Sequence, residues 1–283
     1  MINFRLDRFL TLYLFKYITK KQTSAGDKRI PILMYHSISD EKENSHPYYH
    51  VNTSLAVFDA HMRYLHENNY SVINLQDLEK SFDTRDSSKY VVITFDDGFY
   101  DFFTNAFPIL KKYNFSATVF LPTGFIKNER LSFKDKECMT WDEVRQLSKE
   151  GIIFGSHTVS HPQLKNLDEK EIEFEIESSK EIIKEEIRIK ADTFSYPFAF
   201  PQEDLDFVAR YKKKLNALGY QTAVTTIIGR TAIGDDPFLL KRIPVNNCDD
   251  QLFFQSKLEG AYDWLHRPQY FFKHIKRIIQ NHV

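Results

Sequence analysis

The chain has 283 residues, 42% hydrophobic and 27% charged, a composition that fits one large globular domain with short appendages. Its 38 basic and 39 acidic side chains leave a net charge of −1, which removes any bulk electrostatic case for nucleic-acid binding. The two cysteines, Cys138 and Cys248, form no CxxC pair and supply no structural zinc set, so they read as ordinary thiols.

In chain order, the first element is an uncharged run over residues 9–15, flanked by Arg5, Asp7, Arg8 and Lys16. It is too short to span a bilayer, and no small-residue cleavage site follows it directly. Residues 1–28 therefore read as an N-terminal amphipathic helix or extension that lies on a membrane surface or packs on the domain. From Ile30 onward, short apolar strands alternate with amphipathic helices, the pattern of an α/β fold with parallel strands. Strands are predicted over residues 30–35, 90–95, 117–121, 152–155, 193–196 and 221–226, with a later one ending near Val245. A helix over 54–68 places Leu55, Phe58, Met62 and Leu65 on one face. Thr140-Trp141-Asp142-Glu143 opens another with a capping box, and Asp168-Glu169-Lys170-Glu171 opens a third that runs to about Arg188. The many charges of that third helix read as its solvated face. Residues 269–282 mix Phe271, Phe272, Ile275, Ile278 and Ile279 with Lys273, Lys276 and Arg277, and pose the same choice as the N-terminus. The reading leans to peripheral membrane contact through both termini, with a cytoplasmic or membrane-surface location. Expected boundaries are 1–28 for the extension, 29–250 for a catalytic domain and 251–283 for an aromatic and basic tail.

Seven or so β/α units in one ring is the economical architecture, and in such barrels the chemistry collects where strands end. The candidate residues obey that geometry. Thr94-Phe95-Asp96-Asp97-Gly98 puts two adjacent carboxylates after an apolar strand, and His157-Thr158-Val159-Ser160-His161 puts two imidazoles after another. Asp-Gly alone is a common turn pair. Adjacent carboxylates after a buried strand repel each other, however, and need a cation or a proton. One carboxylate with two histidines is a ligand set for a divalent metal that keeps open positions. The second carboxylate offers a base, so the set suggests hydrolysis by metal-activated water. His36 and Tyr196-Pro197-Phe198 follow two other strands. Trp141 and Tyr100 read as sugar-stacking platforms or as packing anchors, and His46, His50 and His61 as surface or structural.

TFDDG and HTVSH resemble the first two motifs of the NodB-homology polysaccharide deacetylases, carbohydrate esterase family four, and the likeness covers residues 31–245. The resemblance implies a distorted (β/α)7 barrel and a hydrolase that removes acetyl groups from the N-acetylated sugars of a polysaccharide or glycan. It implies Asp96 as general base and Asp97, His157 and His161 as ligands of one divalent metal ion, zinc foremost, with cobalt or nickel as alternatives. The family's third motif, Arg-Pro-Pro-Tyr-Gly, is matched by Ser195-Tyr196-Pro197-Phe198-Ala199, which lacks the arginine and the glycine. The backbone N–H of Phe198 still offers itself to an oxyanion, since that role does not depend on the side chain. The arginine's task of positioning the base falls to Arg242, unless Arg242 is an ordinary rim arginine. The family's C-terminal histidine acid has no counterpart, and His266 reads as a decoy. Instead, Leu33-Met34-Tyr35-His36-Ser37-Ile38 resembles the opening strand of the branch that deacetylates poly-N-acetylglucosamine, which implies His36 as general acid. Two alternatives stay open: an O-acetyl esterase or small-amide hydrolase on the same scaffold, and a non-catalytic glycan-binding assembly factor.

Overall fold

The computed structural model describes residues 5–22, 29–44, 46–82 and 88–281. Seven parallel strands form the frame: β1 (Ile32–Tyr35), β2 (Lys89–Phe95), β3 (Thr118–Leu121), β4 (Ile153–Ser156), β5 (Thr193–Ser195), β6 (Thr222–Ile228) and β7 (Leu240–Pro244). Each pairs with the next in sequence, and β7 returns to β1 through Leu33 opposite Ile243, so the ring closes. A short strand, Tyr70–Val72, lies beside the N-terminal half of β2, ahead of the stretch that pairs with β1. β1, β2 and β3 read as near-continuous apolar runs because parallel strands in such a ring are covered on both faces. Val91 through Phe95 and all of β3 are buried.

Helices close the outer layer where the sequence places their starts. The Ser54 hydroxyl accepts from the Val57 N–H to cap α1 (Leu55–Glu67). Thr140 and Asp168 each complete a capping box, opening α2 (Trp141–Lys149) and α3 (Glu169–Ile187). Trp141 is 2% exposed, which makes it a packing anchor rather than a stacking platform. The charges of α3 are not all solvated, because Glu175 and Lys180 lie on its buried face. Gly155 sits where β4 meets its neighbours. A methyl group there would come within 2.5 Å of Thr193 Oγ1 and 2.7 Å of the Phe120 ring, so close strand packing accounts for the glycine.

The terminal segments that are described pack on this frame. The helical stretch Leu6–Leu10 to Lys16–Gln22 turns Asp7, Thr11 and Leu12 inward. Tyr262 donates to Asp7 Oδ2 at 2.9 Å, and Phe15 stacks on Trp264 at 4.7 Å. Beyond residue 250, α4 (Gln251–Leu258) buries Phe253 and Phe254. Then α5 (His266–Asn281) docks at the C-terminal end of β6, where Gln269 donates to the Thr226 carbonyl at 2.8 Å and accepts from the Ile228 N–H at 3.0 Å. Residues 1–4, 23–28 and 282–283 and the side chains of Lys276, Arg277, Ile278 and Ile279 lie outside the described residues. Among the described residues no helix is long and apolar enough to cross a membrane. Cys138 and Cys248 are both free thiols.

Candidate active site

The loops after β1, β2, β4 and β5 meet at one end of the barrel and bring the sequence-predicted residues together. After β2 the chain turns sharply, with Asp97 and Gly98 in the left-handed region at φ 72° and 61°. Gly98 is needed twice over, since a Cβ there would lie 2.9 Å from Leu121 Cδ2. The turn sends the two adjacent carboxylates to different partners.

Asp97 Oδ1 lies 3.6 Å from His157 Nε2 and 3.3 Å from His161 Nε2. One ligand atom from each of Asp97, His157 and His161 falls within 4.8 Å of the others, and all three residues are buried. His157 Nδ1 sits 2.8 Å from the Ser195 carbonyl. A carbonyl only accepts, so Nδ1 carries the proton and the neutral ring presents a bare lone pair at Nε2. Burial keeps the rings neutral, taking His157 down to about 4 and His161 down to about 3, the latter helped by its neighbour His157. Asp97 Oδ1 is buried with no hydrogen-bond partner. Lone pairs aimed at one another in a dry site repel, unless a cation lies between them. The donor set therefore fits a divalent metal, with the Ser195 carbonyl orienting one ligand from behind.

Asp96 is held on the other side. Arg242 Nη1 and Nη2 donate to Asp96 Oδ1 and Oδ2, each at 2.7 Å. The guanidinium is itself fixed by donating to the Thr225 carbonyl at 3.0 Å and to Ser195 Oγ at 3.1 Å. Arg242 is 1% exposed, so it is not a rim arginine. Burial pushes the Asp96 carboxyl up, but Arg242, His157 and His36 together hold it well below the usual carboxylate range. The position matching the family's missing arginine is Ser195, whose hydroxyl donates to Asp96 Oδ1 at 3.3 Å. The guanidinium thus arrives from β7 rather than from the loop after β5.

His36 Nε2 stands 4.0 Å from Asp96 Oδ2, too long for a hydrogen bond, and burial lowers its pKa against the pull of Asp97 and Asp96. Phe198 has φ 58°, and its ring meets His161 edge-on at 4.6 Å. His266 belongs elsewhere: its charged neighbours are Lys241, Asp235, Arg267 and Asp263. His61 is a core residue stacked 3.9 Å from Phe254.

One neighbour carries no sequence signal of its own. Lys134, at the tip of a hairpin formed by Ser132–Phe133 and Lys136–Glu137, donates to Asp97 Oδ2 at 3.0 Å. Positive φ at both Lys134 and Asp135 makes the tight turn that aims it.

Comparison with known proteins accords with this geometry. The polysaccharide deacetylase family model matches residues 83–223. YxkH of Bacillus subtilis (strain 168), which carries the polysaccharide deacetylase family name, is 31% identical over 221 residues, 77% of this chain and 72% of that protein. The chain belongs to the polysaccharide deacetylase family. The poly-beta-1,6-N-acetyl-D-glucosamine N-deacetylase of Staphylococcus aureus (strain N315) is 28% identical over 169 residues, 54% of this chain and 58% of that one. Among solved structures, the Streptococcus pyogenes deacetylase PplD in complex with acetate superposes with a TM-score of 0.70 at 23% identity, covering 82% of this chain and 99% of that one. That likeness shows the shared (β/α)7 barrel of the family.

Proposed function

We propose that the protein is a metal-dependent hydrolase that removes acetyl groups from the N-acetylated sugars of a polysaccharide. The convergence of the Asp97 and His157 lone pairs, beside a carboxylate held apart by Arg242, supports this reading most. A divalent cation held by Asp97, His157 and His161, zinc foremost, would polarise the acetyl carbonyl and acidify water. Asp96 takes the proton of the attacking water. Its Oδ1 already accepts from Arg242 and Ser195, so Oδ2 has the lone pair to spare and faces His36. His36 hands a proton to the departing amine, and the 4.0 Å gap from Asp96 is short enough for a small shift to relay it. The Phe198 N–H lies on the loop beside His161 and serves the developing oxyanion.

Acetate release tests the reading, measured after loading defined metals on β-1,6-linked N-acetylglucosamine oligomers, O-acetylated glycans and small acetamides. Release from the first class alone is expected. Glycan binding without release under any metal would instead mark a binding or assembly protein. Within that assay, His36→Ala should lower kcat by about 10²- to 10⁴-fold, and an unchanged rate would return the acid role to solvent.

The terminal helices support a second, spatial part of the proposal. Tyr13 (65% exposed), Tyr17 (64%) and Phe272 (71%) turn outward, as on helices that rest in a lipid headgroup layer. The protein should co-sediment with vesicles containing anionic lipid, and a Phe271→Ser/Phe272→Ser variant should do so less. Equal partition of both proteins into the supernatant would dismiss membrane contact.

A further inference from the structure

The loop between the two histidines is backbone-strained and cannot hold its shape by itself. Thr158 and His161 both have positive φ, 70° and 56°, a region that non-glycine residues enter only when the surroundings impose it. Part of that imposition comes from the loop itself and from the segment that follows β3. The His161 N–H donates to Thr158 Oγ1 at 3.0 Å, and the Thr123 and Gly124 N–H groups donate to the Thr158 and Val159 carbonyls at 3.1 and 2.8 Å.

The rest comes from the outer helix layer. Glu175, on α3 and 7% exposed, reaches under the loop. The Val159 and Ser160 N–H groups donate to its Oε2 at 2.8 and 2.9 Å, and Ser160 Oγ donates to its Oε1 at 2.6 Å. Two successive N–H groups pointing the same way form a nest for an anion, and here the anion is the protein's own carboxylate. One turn further along α3, Ser179 Oγ lies 2.5 Å from Ser156 Oγ at the end of β4, so the helix clasps both sides of His157.

We infer that Glu175 is a positioning residue for the metal site: its carboxylate holds residues 159 and 160 so that His157 and His161 face Asp97. It touches neither ligand side chain, substrate nor reacting atom. The inference rests on the metal-binding reading proposed above. Through the loop, Glu175 sets how well the site is formed before a cation arrives, as residues behind metal ligands commonly do.

The test is calorimetric titration of the metal-free protein with Zn²⁺, run on wild type, Glu175→Ala and Glu175→Gln, with the thermal midpoint of each metal-free protein measured alongside. Glu175→Ala should weaken Zn²⁺ binding by about 10- to 100-fold, and saturating metal should restore most of kcat. Glu175→Gln keeps an acceptor for the two N–H groups and should recover much of the affinity. A merely structural glutamate would lower the thermal midpoint and leave Zn²⁺ affinity at the wild-type value. That result in Glu175→Ala overturns the inference while the function stands; where the alanine variant does not fold, Glu175→Asp, whose shorter side chain falls short of the two N–H groups, is judged by the same criterion. Wild-type protein that binds no Zn²⁺ overturns both.

Discussion

Replacing Asp96 with asparagine is expected to lower kcat/KM for acetate release by about 10²- to 10⁴-fold, while Zn²⁺ affinity stays near the wild-type value. The two halves of that expectation come from different sides of one turn. Asp96 is tied to Arg242, whereas Asp97 is the carboxylate within 3.6 Å of both imidazoles. Asparagine keeps the shape but cannot take a proton at Oδ2. Its amide also presents an N–H to one guanidinium N–H, a mismatch costing about 1–3 kcal/mol of stability. The thermal midpoint should therefore be read beside the rate, at a temperature where both proteins are folded. Wild-type turnover by the variant would remove Asp96 from the mechanism. Lost Zn²⁺ binding would move it into the ligand set.

Arg242→Met should be the most destabilising single change at the site, by about 3–5 kcal/mol, because it leaves an ionised carboxylate buried without its partner. Asp96 is 3% exposed and Arg242 1%, so water cannot take the guanidinium's place. The pH dependence has a definite sign. In the wild type the Asp96 pKa lies below its ordinary value. Its contribution is therefore fully present above the unfolded-state value of about 3.9 and is lost as pH falls through the folded value. Without Arg242, burial dominates and the Asp96 pKa rises, so the variant loses stability as pH climbs from about 4 toward neutrality. Denaturant midpoints at pH 4 and pH 7 should show the gap between the two proteins narrowing at the lower pH. A constant gap would mean that Arg242 contributes through packing rather than through the Asp96 charge. The Asp96→Asn/Arg242→Met double variant should be less destabilised than the sum of the singles.

Much of the frame is readable before folding because it is local. The β-strand runs are largely buried and carry many β-branched and apolar residues, and the capping boxes at Thr140 and Asp168 announce their helices with side chains three residues apart. The same holds for the candidate metal ligands. Asp97 is fixed by its turn, and His157 and His161 share one loop, so two short segments contain all three residues. The solvated-face reading of α3 went wrong at Glu175 for a converse reason. A charge is written identically whether it meets water or a nest of backbone N–H groups, and only the neighbour decides.

What the sequence alone determined is therefore the alternation of strands and helices and the two family motifs that carry the candidate metal ligands, because each motif is confined to a few successive positions. What only the tertiary structure decided is the rest of the site. Arg242 reaches Asp96 across 146 positions because barrel closure brings β7 beside β1, next to β2. Lys134 reaches Asp97 from a hairpin tip, and Glu175 reaches the histidine loop from the outer layer. All three contacts join residues far apart in sequence, and the partner rather than the residue type sets what each charge does.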